Sequence, residues 1–245
     1  MSAKSTITIE LFEDVDLEGK YLVTGFHGIG IVGYIALKYM IAQTNARKIG
    51  IIVSNLMPPF VSLDEKGELL LPFELYLDEA NNLVFLIVRF QTHPDEMRDF
   101  TKELVNFVVK NKMKGLVLLG GLDQEWKPLN DEKGYRCIIT NGFPVKEEQP
   151  PLIEPKLFIS GGIAMLLIEL QMQKVPALTL FPYADKEGFD IQAAKKAIEL
   201  LNDQFNMAIP IDKIGEESEK MELEKEVNQI LKQETKQNSN DNIYM

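Results

Sequence analysis

Cysteine is nearly absent: Cys137 is the only one in 245 residues, which excludes an intramolecular disulfide and any multi-cysteine zinc site. Histidine is almost as scarce, with His27 and His93 alone. No H-E-x-x-H, Cys/His cluster, G-x-S-x-G or G-x-x-x-x-G-K-[ST] pattern occurs, so zinc hydrolysis, a serine triad and P-loop ATP hydrolysis have no support, and no metal or cofactor is expected. Basic charge is also deficient. Twenty-six Lys and Arg oppose 37 Asp and Glu, a net charge of -11, which disfavours a surface that tracks nucleic-acid phosphates or anionic lipid. No apolar run approaches the roughly 20 residues that a bilayer-spanning helix needs. The opening MSAKSTITIE has no secretory apolar stretch, so no membrane partner is expected and the expected compartment is the cytoplasm.

What is present suits a globular α/β body: 45% of residues are apolar and 26% charged. Thr6 to Leu11, Tyr21 to Thr24, Lys48 to Val53, Leu83 to Val88, Gly115 to Leu119, Arg136 to Thr140 and Pro176 to Phe181 read as strands. Several, such as Leu83-Val84-Phe85-Leu86-Ile87-Val88, are apolar on both pleat faces, as in the centre of a sheet covered by helices on each side. Between them, Ile31 to Thr44, Pro94 to Asn111, Gly162 to Met172 and Ile191 to Asn206 carry apolar residues at helical spacing. The alternation predicts a mainly parallel central sheet flanked by helices.

The middle of the chain breaks the pattern. Leu69, Leu71, Phe73, Leu75 and Leu77 alternate with mostly polar residues, which predicts a half-exposed strand, and Asp64 to Gly67 has turn chemistry, so a small antiparallel insertion is expected here. Composition changes again near the end: Asp212 to Met245 holds nine acids and five lysines. The expected organisation is an α/β core over 1–211, a charged helical extension over 212–236 with the stripe Leu223, Val227, Ile230 and Leu231, and a flexible polar tail over 237–245.

The loudest local pattern is Gly28-Ile29-Gly30-Ile31-Val32-Gly33, a G-x-G-x-x-G between an expected strand and an expected helix. Two readings stand. The glycines, with His27 in the loop, can bring the backbone up to a phosphate at a helix N-terminus, which would make the chain a nucleotide- or nucleoside-binding enzyme. Alternatively they form a structural turn with close helix–strand packing. Dinucleotide sites carry an acid about 20 residues further on, whereas here no acid precedes Asp64, which favours the structural turn. Gly120-Gly121 with Asp123 and Glu125, and Ser160-Gly161-Gly162, are further strand-end and helix-start candidates; an N-cap by Ser160 explains the latter without a ligand. His93, just before Pro94, suits capping a helix start. Trp126 is either a packing anchor or a contact residue.

The chain ends Ile243-Tyr244-Met245, an apolar residue, a tyrosine and a terminal carboxylate on a polar tail that offers them no core. Such a group can fill a pocket, hydrogen-bond through the phenol and pair its carboxylate with a lysine. A frayed end without a role is the other reading.

The segment LVTGFHGIGIVGYIALKYMI, the later YADKEGFDIQAAKKAIELLN and the terminal IYM together resemble the proteasome assembly chaperone family in its archaeal, PbaB-like form. The terminal triplet matches the hydrophobic-Tyr-X (HbYX) signature of proteasome activators. The resemblance implies a non-enzymatic homo-oligomer, such as a tetramer, with an α/β core; a paralogous subunit could co-assemble. Its C-terminal tails would dock between α subunits of the 20S proteasome, Ile243 and Tyr244 at the pocket rim and the Met245 carboxylate on a pocket lysine, and favour gate opening without ATP hydrolysis. As a helix, Gly215 to Lys236 would reach ~30 Å at ~1.5 Å per residue. One such anchor is weak, so several copies on one oligomer are expected.

Overall fold

The computed structural model describes residues 7–64 and 66–215. The expected extension from 216 onward, and Ile243, Tyr244 and Met245, lie outside the described residues.

Eleven strands and four helices follow one another as β1 (Thr8–Leu11), β2 (Tyr21–Gly25), α1 (Val32–Thr44), β3 (Arg47–Val53), β4 (Ser62–Leu63), β5 (Leu69–Leu70), β6 (Phe73–Asp78), β7 (Leu83–Val88), α2 (Met97–Lys110), β8 (Gly115–Leu119), β9 (Leu122–Asp123), β10 (Tyr135–Thr140), α3 (Gly161–Gln173), β11 (Ala177–Ala184) and α4 (Ile191–Phe205). Nine strands form one sheet in the order β1-β3-β6-β7-β2-β8-β11-β10, with short β9 against β11. The expected α/β sheet is present, and its parallel strands β7, β2, β8 and β11 hold the centre. Antiparallel β10 lies on one side and antiparallel β6, β3 and β1 on the other.

Side chains alternate across the central strands, so each strand feeds two cores. Val23, Phe85, Val117 and Leu180 join α1 and α4 on one face. Leu22, Val84, Leu86 and Leu118 join α2 and α3 on the other. The body continues past the expected boundary at 211, because Ile214 is fully buried in the α1/α4 core.

The antiparallel insertion expected near Asp64 is the β4–β5 hairpin, Leu63 opposite Leu69. Asp64 Oδ1 accepts the Lys66 and Glu68 N–H groups, and Gly67 turns at φ 80°. The strand that follows departs from expectation. β6 is buried along its whole length, not half-exposed. It lies between β3 and β7, with Tyr76 toward α1 and Phe73, Leu75 and Leu77 toward α2. Its polar residues are buried with partners: Asp78 accepts from the Asn81 backbone and carboxamide, and Glu74 from Arg89 and Tyr76. Alternating polarity here marks a buried polar network and not water.

Candidate functional site

The glycine segment turns the chain from β2 into α1, and its shape follows from what touches each glycine. A Cβ on Gly33 would lie 2.5 Å from the Leu119 carbonyl oxygen and 2.9 Å from Gly25 Cα; one on Gly25 would lie 2.6 Å from the same oxygen. The first turn of α1 therefore rests on the ends of β2 and β8 with no room for a side chain. Gly30 has φ 63°, and a Cβ there would lie 2.7 Å from Ala184 Cβ and 3.1 Å from Asp190 Cβ. Gly28 alone has open space around it.

His27 is half-buried in this turn. Its ring lies 4.9 Å from that of Tyr34 at 49°, and the Gln91 carboxamide donates to its carbonyl oxygen at 3.4 Å. His93 caps the turn before α2 by accepting the Asp95 N–H at 3.3 Å, as its position before Pro94 predicts.

All three glycine-rich candidates converge on the same end of the sheet, beyond the carboxyl ends of β2 and β8, where open α/β folds place ligands. A Cβ on Gly121 would meet the Ile29 carbonyl oxygen at 2.2 Å, and one on Gly162 would meet the Phe26 ring at 2.7 Å. Protein fills the convergence. Asp190 binds its N–H to the Gly30 carbonyl oxygen at 2.9 Å, while its carboxylate accepts from Ala193 at the start of α4 and from Asp185. A carboxylate held this close to Gly30 repels a phosphate, and packing accounts for Gly30 and Gly33 of the pattern.

Asp123 and Glu125 turn inward on their own loop. Asp123 accepts the Glu125 N–H at 2.9 Å, and Lys186 bridges Glu125 at 2.7 Å and Asp123 at 3.7 Å. The hydrogen bond to Glu125 holds the Lys186 ammonium above its ordinary range. Trp126 is largely exposed, so it is no packing anchor. Ser160 stands at the N-cap of α3 but its hydroxyl makes no capping hydrogen bond, because the α-helix begins directly at Gly161 in a left-handed turn, φ 73°. Cys137 is buried, and burial first, then Glu147, pushes its thiol up to about 11, so it is no nucleophile near neutrality. Among the described residues no three His, Cys, Asp or Glu side chains are grouped to hold a metal ion, and no helix is long and apolar enough to cross a membrane.

Asp190 is thus the clip between the glycine turn and α4, and its loss has a defined cost. Asp190→Ala removes two charge-assisted hydrogen bonds, one of them the N-cap of α4, about 1–2 kcal/mol together. The expected result is a Tm lower by roughly 5 °C, with Asp190→Asn keeping much of the cap; an unchanged melting curve for Asp190→Ala would show that the clip contributes nothing.

One polar feature escapes the sequence patterns. Glu74, with no exposed surface, lies 2.6 Å from Lys48 Nζ and accepts from Arg89 Nη2 at 2.8 Å and from the Tyr76 hydroxyl at 2.9 Å. Burial first, then Glu74, pushes the Tyr76 phenol well above its usual range. The only local signal was an acid inside an otherwise apolar strand.

The fold of this arrangement is shared. Pyrococcus furiosus PbaA, described as an archaeal homologue of a proteasome-assembly chaperone, superposes with a TM-score of 0.73 at 19% identity, over 92% of this chain and 97% of that one. Pyrococcus furiosus PbaB, described as an archaeal proteasome activator, gives 0.69 at 18% identity over 93% and 98%. A Thermoplasma acidophilum protein of unknown function gives 0.72 at 16% identity over 91% and 90%. Among curated proteins, none matches significantly. The sequence profile of the PAC2 family matches residues 22–231, from β2 through the α1 turn and all four helices into the charged segment beyond the body, and the chain therefore belongs to the PAC2 family.

Proposed function

We propose that this PAC2 protein is a non-enzymatic proteasome assembly chaperone and ATP-independent activator, whose α/β body carries C-terminal tails into pockets of the 20S α-ring. The observation that carries the reading is the coincidence of two independent features. The body has the fold of PbaB, a proteasome activator, along nearly its full length. The chain also ends in Ile243-Tyr244-Met245. In this reading Ile243 packs into the pocket, the Tyr244 ring packs and its phenol hydrogen-bonds, and the Met245 carboxylate pairs with a pocket lysine. Binding energy alone biases the gate toward its open form, as far as the tails prefer that form. A three-residue anchor holds weakly, so a homo-oligomer, with or without a paralogous subunit, supplies several tails at high effective concentration.

The glycine turn supports the reading from the other side: Gly30 and Gly33 are spent on packing, and the acid Asp190 occupies the position next to Gly30.

Deleting residues 243–245 tests the anchor. Full-length protein is expected to co-migrate with 20S particles and raise hydrolysis of a fluorogenic peptide several-fold. The truncated protein is expected to do neither while melting at the same temperature. Equal binding and stimulation by both would reject these residues as the anchor.

A further inference from the structure

Two helices of this fold lack a charged side, and among the described residues only one of them is covered. α1 carries a single charge, Lys38, and its outward side is packed by α4 and by Ile209 and Ile214. α3, GGIAMLLIELQMQ, carries a single charge too, Glu169, which is buried at 5% exposure. Its other neighbour on the sheet face is α2, held by the Gln173 carboxamide donating to Asn106 at 3.1 Å. Met165, Ile168 and Met172 recur at i, i+3 and i+7 on the side left over; Ile168 is 52% and Met172 68% exposed. Val109, one turn beyond Asn106 on α2, is 51% exposed. Phe158, between inward-packed Leu157 and Ile159 just ahead of α3, is 93% exposed.

We propose that the outer face of α3 is where copies of this chain meet, with Met165, Ile168 and Met172 of one copy against the same residues of another. The assignment deepens the multivalent docking proposed above by naming the surface that gathers the tails.

The occupant follows from charge. A two-fold contact sets residues near the axis against their own counterparts, so an exposed charge there opposes like charge. In a chain of net charge -11, self-association is easiest through a face free of charge. The outer side of α3 is such a face. A basic partner, the class that the net charge otherwise attracts, would be recognised by exposed acids, and α3 exposes none. Composition agrees, since interface cores are depleted in charge and enriched in Met and aromatic residues. Size sets a further condition: a 13-residue helix is ~20 Å long and ~10 Å across, so a contact of roughly 800 Å² per partner takes in surface beyond α3, with exposed Val109 and Phe158 as its apolar candidates.

The test is the solution mass of the full chain by light scattering or sedimentation, for the wild type, Ile168→Glu, Met172→Lys and, as a control, Leu129→Glu on an exposed loop between β9 and β10. The expected results are a wild-type mass that is a multiple of 27.8 kDa, association at least tenfold weaker for both α3 variants, and an unchanged mass for Leu129→Glu. Mixing Ile168→Glu with Ile168→Lys is expected to restore association, a result that misfolded variants cannot give. A monomeric wild type at tens of micromolar, an unchanged mass for the α3 variants, equal dissociation by Leu129→Glu, or a mixture without recovery would each overturn the assignment. Binding to 20S particles is followed in the same samples. Unchanged mass with binding lost on tail deletion overturns the α3 face alone; association that depends on α3 with no binding of any variant to 20S overturns the docking reading and leaves the interface standing.

Discussion

Gly33→Ala is expected to lower stability by on the order of 3 kcal/mol, and Gly28→Ala to stay within about 0.5 kcal/mol of the wild type. Gly33 lies in the first turn of α1, where intrinsic propensity favours alanine by roughly 1 kcal/mol. Contact geometry decides the sign. The new methyl would sit 2.5 Å from the Leu119 carbonyl oxygen and 2.9 Å from Gly25 Cα, and both are backbone atoms that no rotamer change can move aside. Relief requires lifting α1 from β2 and β8, which opens the core shared by Val23, Tyr34, Leu37 and Val117. At Gly28, with φ -115°, a methyl meets nothing within 4 Å. Urea unfolding followed by circular dichroism reads both substitutions, and a midpoint lower by roughly 1 M is expected for Gly33→Ala. The pair also separates the two meanings of the glycine pattern. A phosphate cradle would make Gly28, the glycine with open space, the sensitive position for ligand binding, and packing makes Gly33 the sensitive position for folding. A Gly33→Ala midpoint equal to the wild type would refute the packing account.

Much of this architecture is legible in the sequence because it is locally encoded. Helical spacing over Ile31 to Thr44 and Ile191 to Asn206 finds α1 and α4 to within one residue at each end, and the doubly apolar run of β7 announces a strand covered on both faces. The Asp64 to Gly67 turn is legible because its hydrogen bonds lie within five residues of chain. What local pattern cannot carry is partnership across the fold. β3 and β6 pair antiparallel to each other, and nothing in either strand states it. Gly30 is explained by Ala184 and Asp190, more than 150 residues away, and so its pattern alone leaves a ligand loop open beside the favoured structural turn. α1 and α3 are alike in apolar content, yet among the described residues only α1 is covered on its outer side, because α4 packs on α1. Ile243, Tyr244 and Met245 lie outside the described residues, and the anchor proposed for them rests on the sequence alone.

Glu74→Ala is expected to cost on the order of 3–5 kcal/mol, since it removes the anion from a buried cluster and leaves its cations behind. The Glu74 side chain has no exposed surface, while those of Arg89 and Lys48 are only 10% and 19% exposed. Burial works against charge on Arg89, yet Tyr34 and then Glu74 outweigh it and hold the guanidinium proton more tightly than usual. Without the Glu74 carboxylate, part of that compensation is lost while the desolvation remains. A double variant separates this from simple loss of packing. Glu74→Leu with Arg89→Met replaces the Arg89–Glu74 pair by apolar volume, and is expected to be more stable than Glu74→Leu alone, because the buried guanidinium that lost its carboxylate is gone too. The position of the cluster gives the result its consequence. Glu74 and Arg89 join β6 to the end of β7, two residues before Gln91, whose carboxamide holds the His27 carbonyl oxygen. Loosening the cluster should therefore loosen the entry to α1 and be read as faster hydrogen exchange from Gly25 to Tyr34, beyond the general loss of stability. Strict additivity of the two substitutions, or exchange in that segment no faster than the global unfolding change requires, would show that the cluster acts by volume alone.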